Sequence, residues 1–166
     1  MSLLLSDDNT TDIPQEIPSD YCFYNLFKNC ASLITAPDLP ATSLKKHCYD
    51  SMFYECSNLI KAPDLPAILL EEHCYDNMFY SCINLTVAPE LPALTLSGHC
   101  YDSMFRNCRN LNYIKASFKT IPSESFTNNW VSGVSLYGTF YKNSIASWNV
   151  TGPNGIPVWW DVITDS

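Results

Sequence analysis

Eight cysteines and three histidines are the residues in this chain whose types and spacing point to chemistry. The cysteines fall at Cys22, Cys30, Cys48, Cys56, Cys74, Cys82, Cys100 and Cys108, so the steps alternate 8 and 18 and the period is 26. His47, His73 and His99 each stand immediately before a cysteine. Disulfides, metal ligation and a Cys-His nucleophile are the three chemistries to weigh. A nucleophile pair needs its base within hydrogen-bond reach and a third group to orient it. Here the His-Cys step is itself repeated, whereas a catalytic site is singular, so no enzyme activity is expected. Metal ligation needs convergent donors. Adjacent residues on a helix diverge by about 100°, so the sequence predicts no metal site and no cofactor. Two cysteines eight apart on one helix are separated by about 12 Å, beyond the ~7 Å that a disulfide spans. Reduced, buried thiols are therefore expected, with disulfides, favoured by the even count, as the alternative.

The elements that would hold these residues follow the same period. Leu33, Leu59, Leu85 and Leu111 form one column, Phe27, Phe53, Phe79 and Phe105 another, and Leu26, Met52, Met78 and Met104 a third. Ala36-Pro37, Ala62-Pro63 and Ala88-Pro89 recur, as do Leu39-Pro40, Leu65-Pro66 and Leu91-Pro92. Leu44, Cys48, Met52 and Cys56 recur every four residues, which reads as one stripe of a helix of about 10 residues. The run from Leu59 to Ala62 reads as a strand of about three residues, stopped where proline removes a ladder donor. One period beyond the last full unit lie Phe126, Trp130, Val131, Val134 and Tyr137, all apolar, which predicts a degenerate further coil. Ile13-Pro14 stands one period before Leu39-Pro40 and predicts a half-coil at the start. The expected fold is an α/β solenoid, a leucine-rich-repeat stack of about five 26-residue coils with short parallel strands on one face and helices on the other. Its expected parts are an N-terminal half-coil or cap over 1–21, four repeats over 22–125, and a degenerate fifth coil with a C-terminal cap over 126–166.

Composition narrows the function classes. The chain has 166 residues, 46% of them hydrophobic, too apolar for disorder. A net charge of −8 argues against a nucleic-acid partner. No run of about 18 apolar residues suggests a membrane span. Leu3 to Leu5 is too short for a signal-peptide core and has no basic region before it, so no signal peptide is expected in this chain. The expected state is a monomer.

The run C-Y-D-S-M-F-Y-E-C-S-N-L-I-K-A-P-D-L-P-A from Cys48 resembles the BspA-like leucine-rich repeats of Bacteroides-type surface proteins. The resemblance covers residues 13 to 125 by repeat. The tail is similar too, in N-N-W-V-S-G-V from Asn128, G-T-F-Y-K-N from Gly138 and G-I-P-V-W-W from Gly155. It implies an extracellular or cell-surface adhesion module that engages proteins or other host macromolecules. It also suggests a short Asp-Ser-apolar glycosylation sequon at Asp50-Ser51-Met52 and Asp102-Ser103-Met104. A structural spacer that displays a neighbouring domain is the alternative function. A carbohydrate-binding module using the column Tyr49, Tyr75 and Tyr101 is a third.

The expected ligand surface lies between fixed columns. Ile34-Thr35, Ile60-Lys61, Thr86-Val87 and Asn112-Tyr113 differ in every unit, so packing does not dictate them. Beside them Asp38, Asp64 and Glu90 make an acidic row, which favours a basic partner. Lys45-Lys46 and Glu71-Glu72 are expected to face each other across neighbouring units as exposed ion pairs. All four tryptophans lie at or beyond Trp130 and are expected to seal the last coil, with Trp159 and Trp160 as a further contact patch.

Overall fold

A computed structural model describes residues 13–164; the first twelve residues of the expected N-terminal cap, Leu3 to Leu5 among them, lie outside it. Among the described residues there is no α-helix. The regular elements are three four-residue strands, β1 (Tyr113–Ala116), β2 (Thr139–Lys142) and β3 (Asp161–Thr164), and one 3-10 turn at Glu124–Phe126. The expected α/β leucine-rich-repeat solenoid is therefore wrong, and the reason lies in the segment read as a helix.

That segment is a ribbon of tight turns. His47, Ser51 and Glu55 have positive φ, at 53°, 55° and 57°. The same positions one and two units later, His73, Asn77, Ser81 and His99, Ser103, Asn107, do likewise. A left-handed residue every fourth position breaks any α-helix. Alternate amides then divide their bonds. Cys48, Asp50, Met52, Tyr54 and Cys56 donate three residues back, as in Met52 N–H to Tyr49 C=O at 3.2 Å. His47, Tyr49, Ser51, Phe53 and Glu55 donate to carbonyls 25 residues ahead, as in Tyr49 to Cys74 at 3.1 Å and Ser51 to Asp76 at 2.8 Å. The carbonyls are shared between the same two bond types, so the backbone of the ribbon is satisfied without a helix.

Each four-residue step turns two side chains inward. Cys48 and Tyr49, then Met52 and Phe53, then Cys56 are buried, and Leu59 closes the row. Successive units lie on one another at a 26-residue offset. Phe27, Phe53, Phe79 and Phe105 stack with ring centroids 5.6 Å apart at each step. Tyr49, Tyr75 and Tyr101 stack at 6.0 and 6.1 Å.

Proline decides where strands form on the opposite edge. In the units carrying Ala36-Pro37 and Ala62-Pro63, pairing is an isolated parallel bridge, Thr35 with Lys61. Val87, just before Ala88-Pro89, likewise bridges Tyr113. Where the Ala-Pro step is absent, at Ile114-Lys115 and Phe140-Tyr141, continuous strands appear in parallel order β1-β2-β3, with Tyr113 beside Thr139 and Thr139 beside Asp161. Gly138 permits the entry to β2, because a Cβ there would overlap the Asn112 carbonyl and lie 2.8 Å from Trp160.

The C-terminal segment closes the core. Trp130, Trp148 and Trp160 are buried, and their indole N–H groups donate to Gly155, Phe118 and Ser135 carbonyls at 2.8, 3.0 and 2.8 Å. Trp130 and Phe126 carbonyls accept from Phe105 and Tyr101, so this segment takes the place of a further unit. Tyr137, expected in the Leu111 column, is instead exposed, and so is Trp159.

Candidate binding surface

The cysteine and histidine columns separate. Cys48, Cys74, Cys100, Cys56, Cys82 and Cys108 are buried, Cys22 is half-buried and Cys30 is exposed; all eight are free thiols. The second cysteine of the three later units has a definite partner. Cys56, Cys82 and Cys108 donate S–H to the carbonyls of Phe27, Phe53 and Phe79 at 3.0, 3.1 and 3.0 Å. Burial pushes the thiols of Cys48, Cys100 and Cys108 up to about 12, and that of Cys56 up to about 11. Thiols held in that form are poor nucleophiles and poor metal ligands.

The histidines stack on the flank. His47, His73 and His99 rings lie 4.4 and 4.5 Å apart and nearly parallel, and Tyr21 extends the stack at 4.4 Å from His47. Each Nδ1 meets the carboxylate three residues on, His47 with Asp50 and His73 with Asp76 at 2.8 Å, and His99 with Asp102 at 3.3 Å. All three histidines have left-handed φ, and their rings stack on one another along this column. Among the described residues no group of three or more His, Cys, Asp or Glu is arranged to hold a metal ion.

Burial pushes the Asp76 carboxyl up to about 6; Asp50 and Asp102 on either side add to the rise and the His73 bond opposes it. Ser51 and Ser103, the hydroxyls of the suggested sequons, are buried and donate to Asp50 and Asp102 at 2.8 and 3.0 Å. The tyrosine column weighed for sugar binding is buried as well, so it offers no ring face to a ligand. Of the expected cross-unit pairs, Lys46 and Glu72 meet at 3.0 Å, and both are exposed. A second ladder was missed in the sequence: Tyr54 and Tyr80 stack at 4.6 Å, with Lys28 over Tyr54 and Arg106 over Tyr80. Its signal was the 26-residue spacing of Lys28, Tyr54, Tyr80 and Arg106.

The expected ligand residues occupy the edge opposite the turn ribbon. Ile34, Ile60 and Val87 are 58%, 59% and 52% exposed. Their neighbours Thr35, Lys61, Thr86 and Asn112 are exposed too, and Tyr113 is half-buried. The backbone joins these positions directly: Ile60 N–H donates to Ile34 C=O and Asn112 N–H to Thr86 C=O, both at 2.9 Å. Their spacing is set by buried positions on either side, Leu59 and Leu85 before them and Ala36 and Ala88 after. Asp38, Asp64 and Glu90 are exposed beside the row, but Glu90 is paired with Lys115 at 3.1 Å, so its charge is partly met. No described helix is long and apolar enough to cross a membrane. Compared with family models, curated proteins and solved structures, the chain matches none.

Proposed function

We propose that this chain is a non-catalytic binding module that engages a protein or another macromolecule through the row Ile34, Ile60 and Val87 with Thr35, Lys61, Thr86, Asn112 and Tyr113. The observation that carries the reading is the exposure of a large aliphatic side chain in each of three successive units, Ile34 and Ile60 one period apart and Val87 one residue past the next equivalent position, Thr86. Repeated apolar exposure on a polar surface is a feature of contact sites. Asp38 and Asp64 beside the row favour a basic partner and make the association weaken with salt. An extracellular or cell-surface setting rests on the resemblance of the Cys48 to Ala67 run to BspA-like surface proteins.

The test is an array of glycans and host-matrix proteins probed with the wild-type chain and with a variant carrying Ile60→Ser, Lys61→Ser, Val87→Ser and Tyr113→Ser. The expected result is one or more protein ligands whose binding falls by about tenfold or more in the variant, with circular dichroism unchanged. Unchanged binding by a folded variant overturns the assignment of the row.

A further inference from the structure

The C-terminal end of the stack holds two features that the exposed row does not use. The first is an open sheet edge. Among the described residues β3 pairs only with β2, and all four of its residues are exposed. Asp161 N–H donates to Gly138 C=O at 2.9 Å, so Asp161 and Ile163 turn their backbone groups to β2. Backbone groups alternate sides along a strand, which leaves the N–H and C=O of Val162 and Thr164 facing outward. The edge carries neither of the residues that commonly protect such an edge, lysine or proline.

The second feature is a groove of about 320 Å³ that opens just before β3. Val134, Leu136, Pro157, Val158 and Trp159 line it, with no charged side chain among its lining residues. Trp159 precedes Asp161 by two residues, so groove and edge are within about 7 Å of chain.

We propose that this end is a β-augmentation site for an extended segment of a partner protein that alternates basic and apolar residues. The outward groups of Val162 and Thr164 supply the main-chain hydrogen bonds, and the groove takes an apolar side chain beyond the Asp161 end. This is the division of labour by which strand addition combines affinity with specificity. Charge selects the partner. Asp161 is the only charged residue on the described edge, and the whole chain carries −8. A second copy is the poorer occupant, because two chains of that charge repel and the edge has no cation to meet Asp161.

The probe is a fluorescein-labelled peptide of about ten residues alternating lysine and valine, titrated by fluorescence anisotropy with the unmodified chain. Three comparisons accompany it: the same peptide N-methylated at alternate residues, a glutamate-valine peptide, and the variant Val162→Pro. Val162→Pro removes an outward donor while leaving the Asp161 bond to Gly138 in place. The expected result is binding of the lysine-valine peptide that weakens by about tenfold or more on N-methylation and in Val162→Pro, and is lost with glutamate. The N-methylated peptide meets an unaltered protein, so the test stands even if Val162→Pro fails to fold. Equal binding of methylated and unmodified peptides, or no binding at millimolar peptide, overturns the proposal. So does concentration-dependent self-association that Val162→Pro abolishes, because it assigns the edge to a second copy.

Discussion

His73 Nδ1 lies 2.8 Å from a carboxylate oxygen of Asp76, and the pair recurs one unit before as His47 with Asp50 and one unit after as His99 with Asp102. Three carboxyls thus stand in a partly buried column. Burial, then the neighbouring Asp50 and Asp102, raise Asp76 from an ordinary 3.8 to about 6. A carboxyl raised in this way binds its proton more tightly in the folded state than in the unfolded one. Its cost to the fold is absent below about pH 4, grows through about pH 6 and is complete above that. Asp76→Asn keeps an acceptor for Asn77 and presents an amide N–H to His73, whose Nδ1 can accept it in the other tautomer. It is expected to raise Tm by about 2–4 °C near pH 8, with the gain vanishing near pH 4. Thermal melts across pH check both ends of that window.

The thiols give a second expectation. Native protein treated with iodoacetamide should gain adducts at Cys30 and more slowly at Cys22, with the six buried cysteines protected until the chain is denatured. Peptide mapping by mass spectrometry reads the sites. Rapid native labelling of Cys74 or Cys82 would contradict the burial.

The S–H bonds of the second cysteine column predict a graded response. Cys82→Ala removes the donor to the Phe53 carbonyl and is expected to cost about 1–3 kcal/mol in chemical denaturation. Cys82→Ser retains a donor and is expected to cost less. Equal losses for the two variants would show that the bond contributes little.

Left-handed positions predict opposite signs for two changes at one site. Glu55 is exposed with φ at 57°. Glu55→Gly relieves backbone strain and is expected to stabilise by up to about 1 kcal/mol. Glu55→Val places a β-branched residue where it is a steric outlier and is expected to destabilise by at least as much.

The 26-residue register was legible because packing enforces it: Phe53 and Tyr49 meet the same residue type one unit on, so their columns stand out in the sequence. The exposed row was legible as residue pairs that differ between fixed columns, Ile34-Thr35, Ile60-Lys61 and Thr86-Val87. The helix was misread from Leu44, Cys48, Met52 and Cys56. Their strict four-residue step drifts about 40° per repeat on a 3.6-residue helix, so it should have counted against one. The positive signal was the recurrence of His and Asn, residues enriched in the left-handed region, at His47, His73, Asn77, His99 and Asn107. The open edge of β3 was not legible, because nothing in Asp161–Thr164 reveals which side of the strand is paired.

Everything proposed for the surface rests on the turn ribbon and its bonds between units. The most direct test is nuclear magnetic resonance of scalar couplings transmitted through hydrogen bonds. The Tyr49 amide nitrogen is expected to couple to the Cys74 carbonyl carbon, and the Ser51 amide nitrogen to that of Asp76. Couplings from these amides to carbonyls four residues back, as in an α-helix, would contradict the ribbon and the register of the exposed row with it.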